Sequence, residues 1–210
     1  MLRKATEILQ DSPLYPAGLD PFFEIRPPKL WCVGEPQILN GDLLGIISSR
    51  KIAPELALKT AKILRQLASL GEAFISGWHS PLEEVALNIL LPQQVRIIFC
   101  LAKSLDKFTP SPEIRMLMDQ GRALLLTHCS HKAKRISREA SLRRNLLVAG
   151  AAKVVLSLSA PEGSASYRLA RLALNLGRPV FAPRHHINEG LLACGALPAT
   201  MENIERVLQG

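Results

Sequence analysis

Aromatic side chains make up only 5% of this 210-residue chain, which excludes a long platform of stacked rings. No apolar run reaches the roughly 18 residues that a membrane-spanning helix needs. The start, MLRKATEILQDSPLYP, carries acids and a proline without a continuous apolar stretch, so it does not read as a secretory signal. The four cysteines (Cys32, Cys100, Cys129, Cys194) are scattered and form no CxxC pair. Cys32 and Cys100 sit in apolar runs and read as buried thiols of a reduced, cytoplasmic protein. Neither GxGxxG nor GxxxxGK[ST] occurs, so the usual dinucleotide and P-loop readings fail. There is no internal repeat, no low-complexity tract and no supported Ser/His/Asp arrangement. The histidines at His128, His131, His185 and His186 match no zinc spacing, and no metal is expected.

Apolar residues account for 48% of the chain, enough for a packed core. The net charge is +8 and unevenly spread. Residues 1–40 hold four basic and five acidic residues, so the excess lies beyond them. The densest basic stretch is KAKRISREASLRR, 132–144, with six cations and one Glu. Such a patch favours polyanions, either nucleic acid or phosphorylated ligands.

Residues 13–36 hold six of the 15 prolines and read as an extended lead-in, pinned by Tyr15, Phe22, Phe23 and Trp31. The expected division is a lead-in, 1–40, packed on a core domain, 41–210. From residue 43 short apolar runs alternate with helical ones. Strands are expected at 43–48, 73–76, 95–101, 123–127, 153–158 and 179–182, with helices between them. Residues 54–70 place Leu56, Thr60, Ile63, Leu64, Leu67 and Leu70 on one face, and Gly71 stands where a helix should stop. Further helices are expected at 166–176 and 200–208. The fold class is therefore α/β: a Rossmann-like, open, mostly parallel sheet of about six strands, helices on both faces, and a proline-rich extended lead-in.

Right-handed crossovers bring every strand's C-terminal end to one edge, where ligands of such sheets bind. Three small-residue turns fall there: Ser48-Ser49 before Arg50 and Lys51, Ser76-Gly77, and Gly163-Ser164-Ala165-Ser166. Small residues let backbone N–H groups close on an anion. Together with the basic stretch they point to a phosphate-bearing ligand. Glu83 and Glu84 open a helix, where acids suit the dipole.

In this order the motifs resemble the DNA-processing protein A family (DprA, also called Smf). The segment YPAGLDPFFEIRPPKLWCVG, 15–34, is similar to that family's opening, and Ser48-Ser49-Arg50 to its G-S-R turn. Residues 76–87 resemble S-G-L-A-x-G-I-D-x-x-A-H, and SLRRNLLVAG, 141–150, resembles F-P-x-R-N-R-I-I-A-G. SASYRLARLALNLGRPVFA, 164–182, and NEGLLACGA, 188–196, resemble the closing motifs. The departures are Ser48 for Gly, Pro81-Leu82-Glu83 for G-I-D, Leu87 for His, Leu146 for Arg, Ala165 for Gly and Leu169 for Thr. No C-terminal winged-helix domain is expected.

The resemblance implies a cytoplasmic homodimer that binds single-stranded DNA, helps load a RecA-type recombinase in natural transformation, and neither catalyses nor carries a cofactor. Phosphates would meet Arg50, Lys51, Lys132, Lys134, Arg135, Arg143 and Arg144. Asn145 and the Gly163–Ser166 turn would add neutral hydrogen bonds, and Trp78, Phe108 and Tyr167 are candidates for base stacking. The alternative is a nucleotide-derivative binding protein or phosphoribohydrolase. Its P-G-G-x-G-T-x-x-E loop is matched only by PEGSAS, which has Glu162 before the Gly and no Glu after it at that spacing.

Overall fold

The computed structural model describes residues 5–24, 27–51, 53–131, 133 and 135–209. Among these residues nine strands form one sheet: β1 (Thr6–Ile8), β2 (Leu30–Gly34), β3 (Leu43–Ile47), β4 (Ala73–Ser76), β5 (Arg96–Leu101), β6 (Ala123–Thr127), β7 (Val154–Ser157), β8 (Val180–Ala182) and β9 (Leu197–Pro198). Their order is β1-β2-β6-β5-β4-β3-β7-β8-β9. Strands β3 to β9 run parallel, while β2 is antiparallel to both β6 and β1. The helices are α1 (Pro54–Ala68), α2 (Pro81–Leu90), α3 (Pro112–Asp119), α4 (Arg138–Ala151), α5 (Ala165–Asn175), α6 (Glu189–Ala193) and α7 (Met201–Gln209).

Period-two alternation splits the core into two layers. Leu43 and Ile47 of β3, with Ile98 and Cys100 of β5, face one cluster that includes Leu147 and Val148 of α4 and Ala170 and Ala173 of α5. Leu44 and Ile46, with Ile97 and Phe99, face the other, built with Leu56, Leu64 and Leu67 of α1 and Leu82 and Ala86 of α2. Helices thus cover both faces. None of the described helices is long and apolar enough to cross a membrane. At Gly45 the α4 side comes very close: an added Cβ would lie 2.8 Å from the Ala152 Cβ. Burial pushes the Cys32 thiol up to about 11 and the Cys100 thiol up to about 12, as their apolar runs imply.

All six expected strands are present to within a residue or so at each end. The expected count is corrected from six to nine, because β1, β2 and β9 add to them. The prolines of the lead-in flank its strands instead of interrupting them: Pro27 and Pro28 precede β2, whose LWCVG run then pairs along β6. Between β1 and β2 a short 3-10 turn, Ala17–Phe22, buries Leu19 and Phe22 in the α4–α5 layer. The Tyr15 hydroxyl donates to the Pro28 carbonyl at 2.7 Å. The Arg178 guanidinium donates to the Gly150 carbonyl at 3.2 Å and reaches Gly18 O at 3.5 Å, tying lead-in to core.

Because β2 belongs to the sheet and Leu30 is fully buried, truncating Leu30 must weaken the whole domain. Leu30→Ala is expected to cost about 2–5 kcal/mol in urea denaturation followed by circular dichroism, in a single transition. A separate early transition confined to the lead-in would contradict a shared core.

Candidate functional site

In a sheet of this order the topological switch lies at β3, whose neighbours are β4 and β7. The crevice outside β3 and β7 is closed by a seam of hydrogen bonds. Leu158 N–H donates to Ile47 O at 2.9 Å, and Ser49 N–H donates to Ser159 O at 2.8 Å. The Ser159 hydroxyl donates to Lys51 O at 2.7 Å, and Lys51 N–H donates to the Ser49 hydroxyl at 3.1 Å. The seam uses the serines inward and leaves Arg50 and Lys51 exposed at the tip of the turn.

The next turn holds its own anion. Glu83, 3% exposed, sits in the first turn of α2. Its Oε1 accepts from Ser48 N–H at 3.0 Å; its Oε2 accepts from His79 N–H at 3.0 Å and Ser80 N–H at 3.3 Å. Ser80 and Glu83 form a reciprocal capping box. His79 Nδ1 also lies 3.0 Å from Glu83 Oε2, and Arg144 Nη2 lies 3.0 Å from His79 Nε2. Burial alone would raise the Glu83 carboxyl. The hydrogen bonds and charge of His79, and then the charge of Arg144, outweigh it and hold the carboxyl below its ordinary value. The backbone groups that would cradle a ligand phosphate at this turn are thus engaged by a side chain.

Arg144 reaches this cluster from the middle of α4. It is 4% exposed; Nε donates to Asn145 Oδ1 at 2.7 Å, and Nη1 lies 3.4 Å from Cys100 O. Gly77 makes room for it, since a Cβ there would stand 1.9 Å from Arg144 Nη1. The expectation that Arg144 meets phosphates directly is therefore corrected: the guanidinium is buried beside His79, which in turn contacts Glu83.

Three further expectations change. Trp78 does not present its ring for stacking. It is 8% exposed, its indole N–H donates to Ile98 O at 3.0 Å, and its ring lies 6.1 Å from Phe99. The residue adopts φ +53°, a left-handed conformation costing about 1–2 kcal/mol outside Gly, which turns the ring inward. Ser76 is fully buried and donates to Ile46 O at 2.7 Å. Ser166 is buried and donates to Ser159 O at 3.0 Å. Both hydroxyls serve the scaffold instead of a ligand.

The remaining candidates stay near solvent. Arg135 is exposed, and Arg138 opens α4 on the exposed side. Arg143 is half-buried, its guanidinium 5.6 Å from the centroid of the Phe23 ring of the lead-in. His128 is pushed down to about 4 by burial first and then by the charges of Arg143 and Arg144. Gly163 is exposed with φ +75°; Ser164 caps α5 by accepting from Tyr167 N–H at 3.1 Å. Tyr167 is half-buried, with its hydroxyl 3.4 Å from Cys194 Sγ and Arg171 over its ring. Phe108 is half-buried, with Lys103 Nζ 5.5 Å above its ring. Lys132 and Lys134 lie outside the described residues. Among the described residues, no three His, Cys, Asp or Glu side chains are grouped to hold a metal ion.

Sequence reasoning missed Glu83 and Asn188 as organisers. The signal for Glu83 was the S-x-x-E spacing at Ser80. Asn188, fully buried, accepts from Ala160 N–H at 2.9 Å and donates to Leu158 O and Pro183 O, joining the loops after β7 and β8.

An open α/β domain whose central turns are filled from within and whose rim is cationic is a binding domain of the Rossmann-like class. The chain belongs to the DNA recombination-mediator protein A family, whose family model matches residues 6–202. DNA processing protein A of Streptococcus pneumoniae is similar in structure, with a TM-score of 0.81 at 22% identity over 98% of this chain and 75% of that one. DNA processing protein A of Helicobacter pylori, which binds single-stranded DNA, gives 0.70 at 24% identity over 99% of this chain and 91% of that one. A molybdenum cofactor binding protein from Rippkaea orientalis gives 0.56 at 16% identity over 80% of this chain and 96% of that one. At these identities the structural likeness speaks for the fold. No curated protein matches the chain.

Glu83 has a lowered native pKa, so its contribution is present above the ordinary glutamate range and is lost as pH falls through the lower native value. Glu83→Gln is expected to lose about 3 kcal/mol at pH 7, the scale for breaking a buried charge pair. The gap to the native protein should narrow as pH falls below about 4. Urea titrations at a series of pH values measure both. A gap independent of pH would show that the charge is not what stabilises the turn.

Proposed function

We propose that this chain binds single-stranded DNA without reading its sequence, as part of DNA processing and recombination, and does so without catalysing a reaction. One observation carries the reading. In a member of the DNA recombination-mediator protein A family, the ligand edge keeps Arg50, Lys51, Arg135 and Arg138 toward solvent and Arg143 half-exposed, while its buried charges Arg144 and Glu83 are linked through His79. The loops after β6 and β3 are three strand spacings apart, roughly 14 Å, so their cations can follow a backbone that crosses the edge. Contacts of this kind neutralise phosphates and carry no sequence information. Arg143 adds a flat guanidinium against Phe23, and Phe108 and Tyr167 are the aromatics near enough to solvent to meet a base. The family resemblance supplies the setting: a cytoplasmic homodimer that passes the strand to a RecA-type recombinase.

The nucleotide-derivative hydrolase is the weaker reading. The switch crevice where a nucleotide would lie is sealed by Ser49 and Ser159. Glu162, the one carboxylate of the PEGSAS loop, lies against Gly190 at the start of α6, where a Cβ would stand 2.0 Å from its Oε1.

With five phosphate contacts, the logarithmic salt dependence of oligo-dT binding should have a slope of about −3.5, at roughly 0.7 per contact for single strands. Arg50→Glu and Arg143→Glu are each expected to weaken binding and to flatten the slope by about 0.7. Fluorescence anisotropy between 50 and 200 mM salt, roughly the range over which such contacts respond, reads both. Unchanged affinity in both variants would place the DNA elsewhere.

A further inference from the structure

Away from the β3–β4 turns, a cavity of about 390 Å³ lies between α1, α7 and the segment after β8. Lys59 and Lys62 stand one turn apart on α1 and line it, and Arg184 enters from the segment after β8. Ile63, Pro198 and Met201 form apolar wall. The cavity is on the α1 side of the sheet, whereas Arg143 of α4 reaches Phe23 on the other side, so it is distinct from the rim described above.

Its charge is uncompensated. Among the described residues no carboxylate lines the cavity, and none of its three cations is in an ion pair. Elsewhere Lys29, Lys107 and Lys153 each have a carboxylate within 4 Å. Lys59 is held in place by a neutral group: its ammonium donates to the Arg184 carbonyl, which fixes its position and leaves its charge intact. Three exposed like charges lining a concave, partly apolar wall raise the local potential and favour an anion. Thr200 and Met201 place the positive end of α7, a helix of nine residues, at the same cavity. The volume is near the lower end of small-molecule sites, roughly 300–1,000 Å³, and suits one nucleotide better than an oligomer.

We propose that this cavity is a second binding site, for one nucleotide unit: its phosphate among Lys59, Lys62 and Arg184, its base against Ile63, Pro198 and Met201. The unit is either a free mononucleotide or one residue of a DNA strand that has left the ligand edge. The chemistry is the same in both cases and does not depend on the rim binding DNA.

The test uses the full chain and the double variant Lys62→Glu/Arg184→Glu, with the milder Lys62→Gln as a check that the exposed substitutions act through charge. Titration calorimetry with dTMP and anisotropy with oligo-dT are the two arms. The expected result is a loss of at least tenfold in one or both arms, in the same direction and smaller for Lys62→Gln. Loss in the dTMP arm alone assigns the cavity to a free nucleotide. Loss in the oligo-dT arm, with no dTMP binding, assigns it to a strand. Unchanged binding in both arms, or no binding in either, overturns the proposal. Arg50→Glu and Arg143→Glu separate the two sites: failure of the rim reading leaves the dTMP arm intact, and failure of the cavity leaves the rim's salt slope intact.

Discussion

A buried carboxylate with one place to go organises this molecule. Glu83 is taken out of water at the start of α2, and a charge so placed needs partners. It finds Ser48 N–H from one turn, His79 and Ser80 N–H from the next, and the charge of Arg144 from α4. Each partner sets a further condition. Arg144 reaches in because Gly77 has no side chain, and α4 lies close to β3 because Gly45 has none. The conformation of two ligand-edge turns and the seat of one helix thus follow from satisfying a single anion.

Open parallel sheets ordinarily leave a gap at the switch point and unfilled amides at the first turns. Here serines close the gap and a glutamate occupies the amides. In the proposed reading, binding falls to what projects beyond them, the tip cations of the first turn and the start of α4. That arrangement suits a ligand met along its length by charge better than one enclosed and read atom by atom. It also gives Glu83, one of the departures in residues 76–87, a role: the turn keeps its shape through an internal ligand.

The two layers of the core were legible because they rest on local periodicity. Leu56, Ile63, Leu64 and Leu67 recur at helical spacing, and the six central strands are short apolar runs between turn residues. The lead-in strands were hidden by prolines that lie beside them, not within them. The interior of the site was less legible, because its contacts join residues distant in sequence. Ser48 and Glu83 are 35 positions apart, and Arg144 and His79 are 65. A tryptophan after a glycine reads as a loop aromatic; only the positive φ of Trp78 shows the ring turned toward Phe99. The serines of the turns read as anion ligands for a sound reason, since their hydroxyls do accept and donate, but carbonyls and amides of neighbouring loops take them first.

The described sheet ends in strands of three residues, β1, and two residues, β9, the latter containing Pro198. Such borders present few unpaired backbone groups and resist annealing to another chain. Copies of this domain therefore have little means of joining by prolonging the sheet. An assembly that leaves the described sheet as it is would be made through side chains on helices and loops, where it can be tuned one residue at a time without disturbing the framework of the ligand edge.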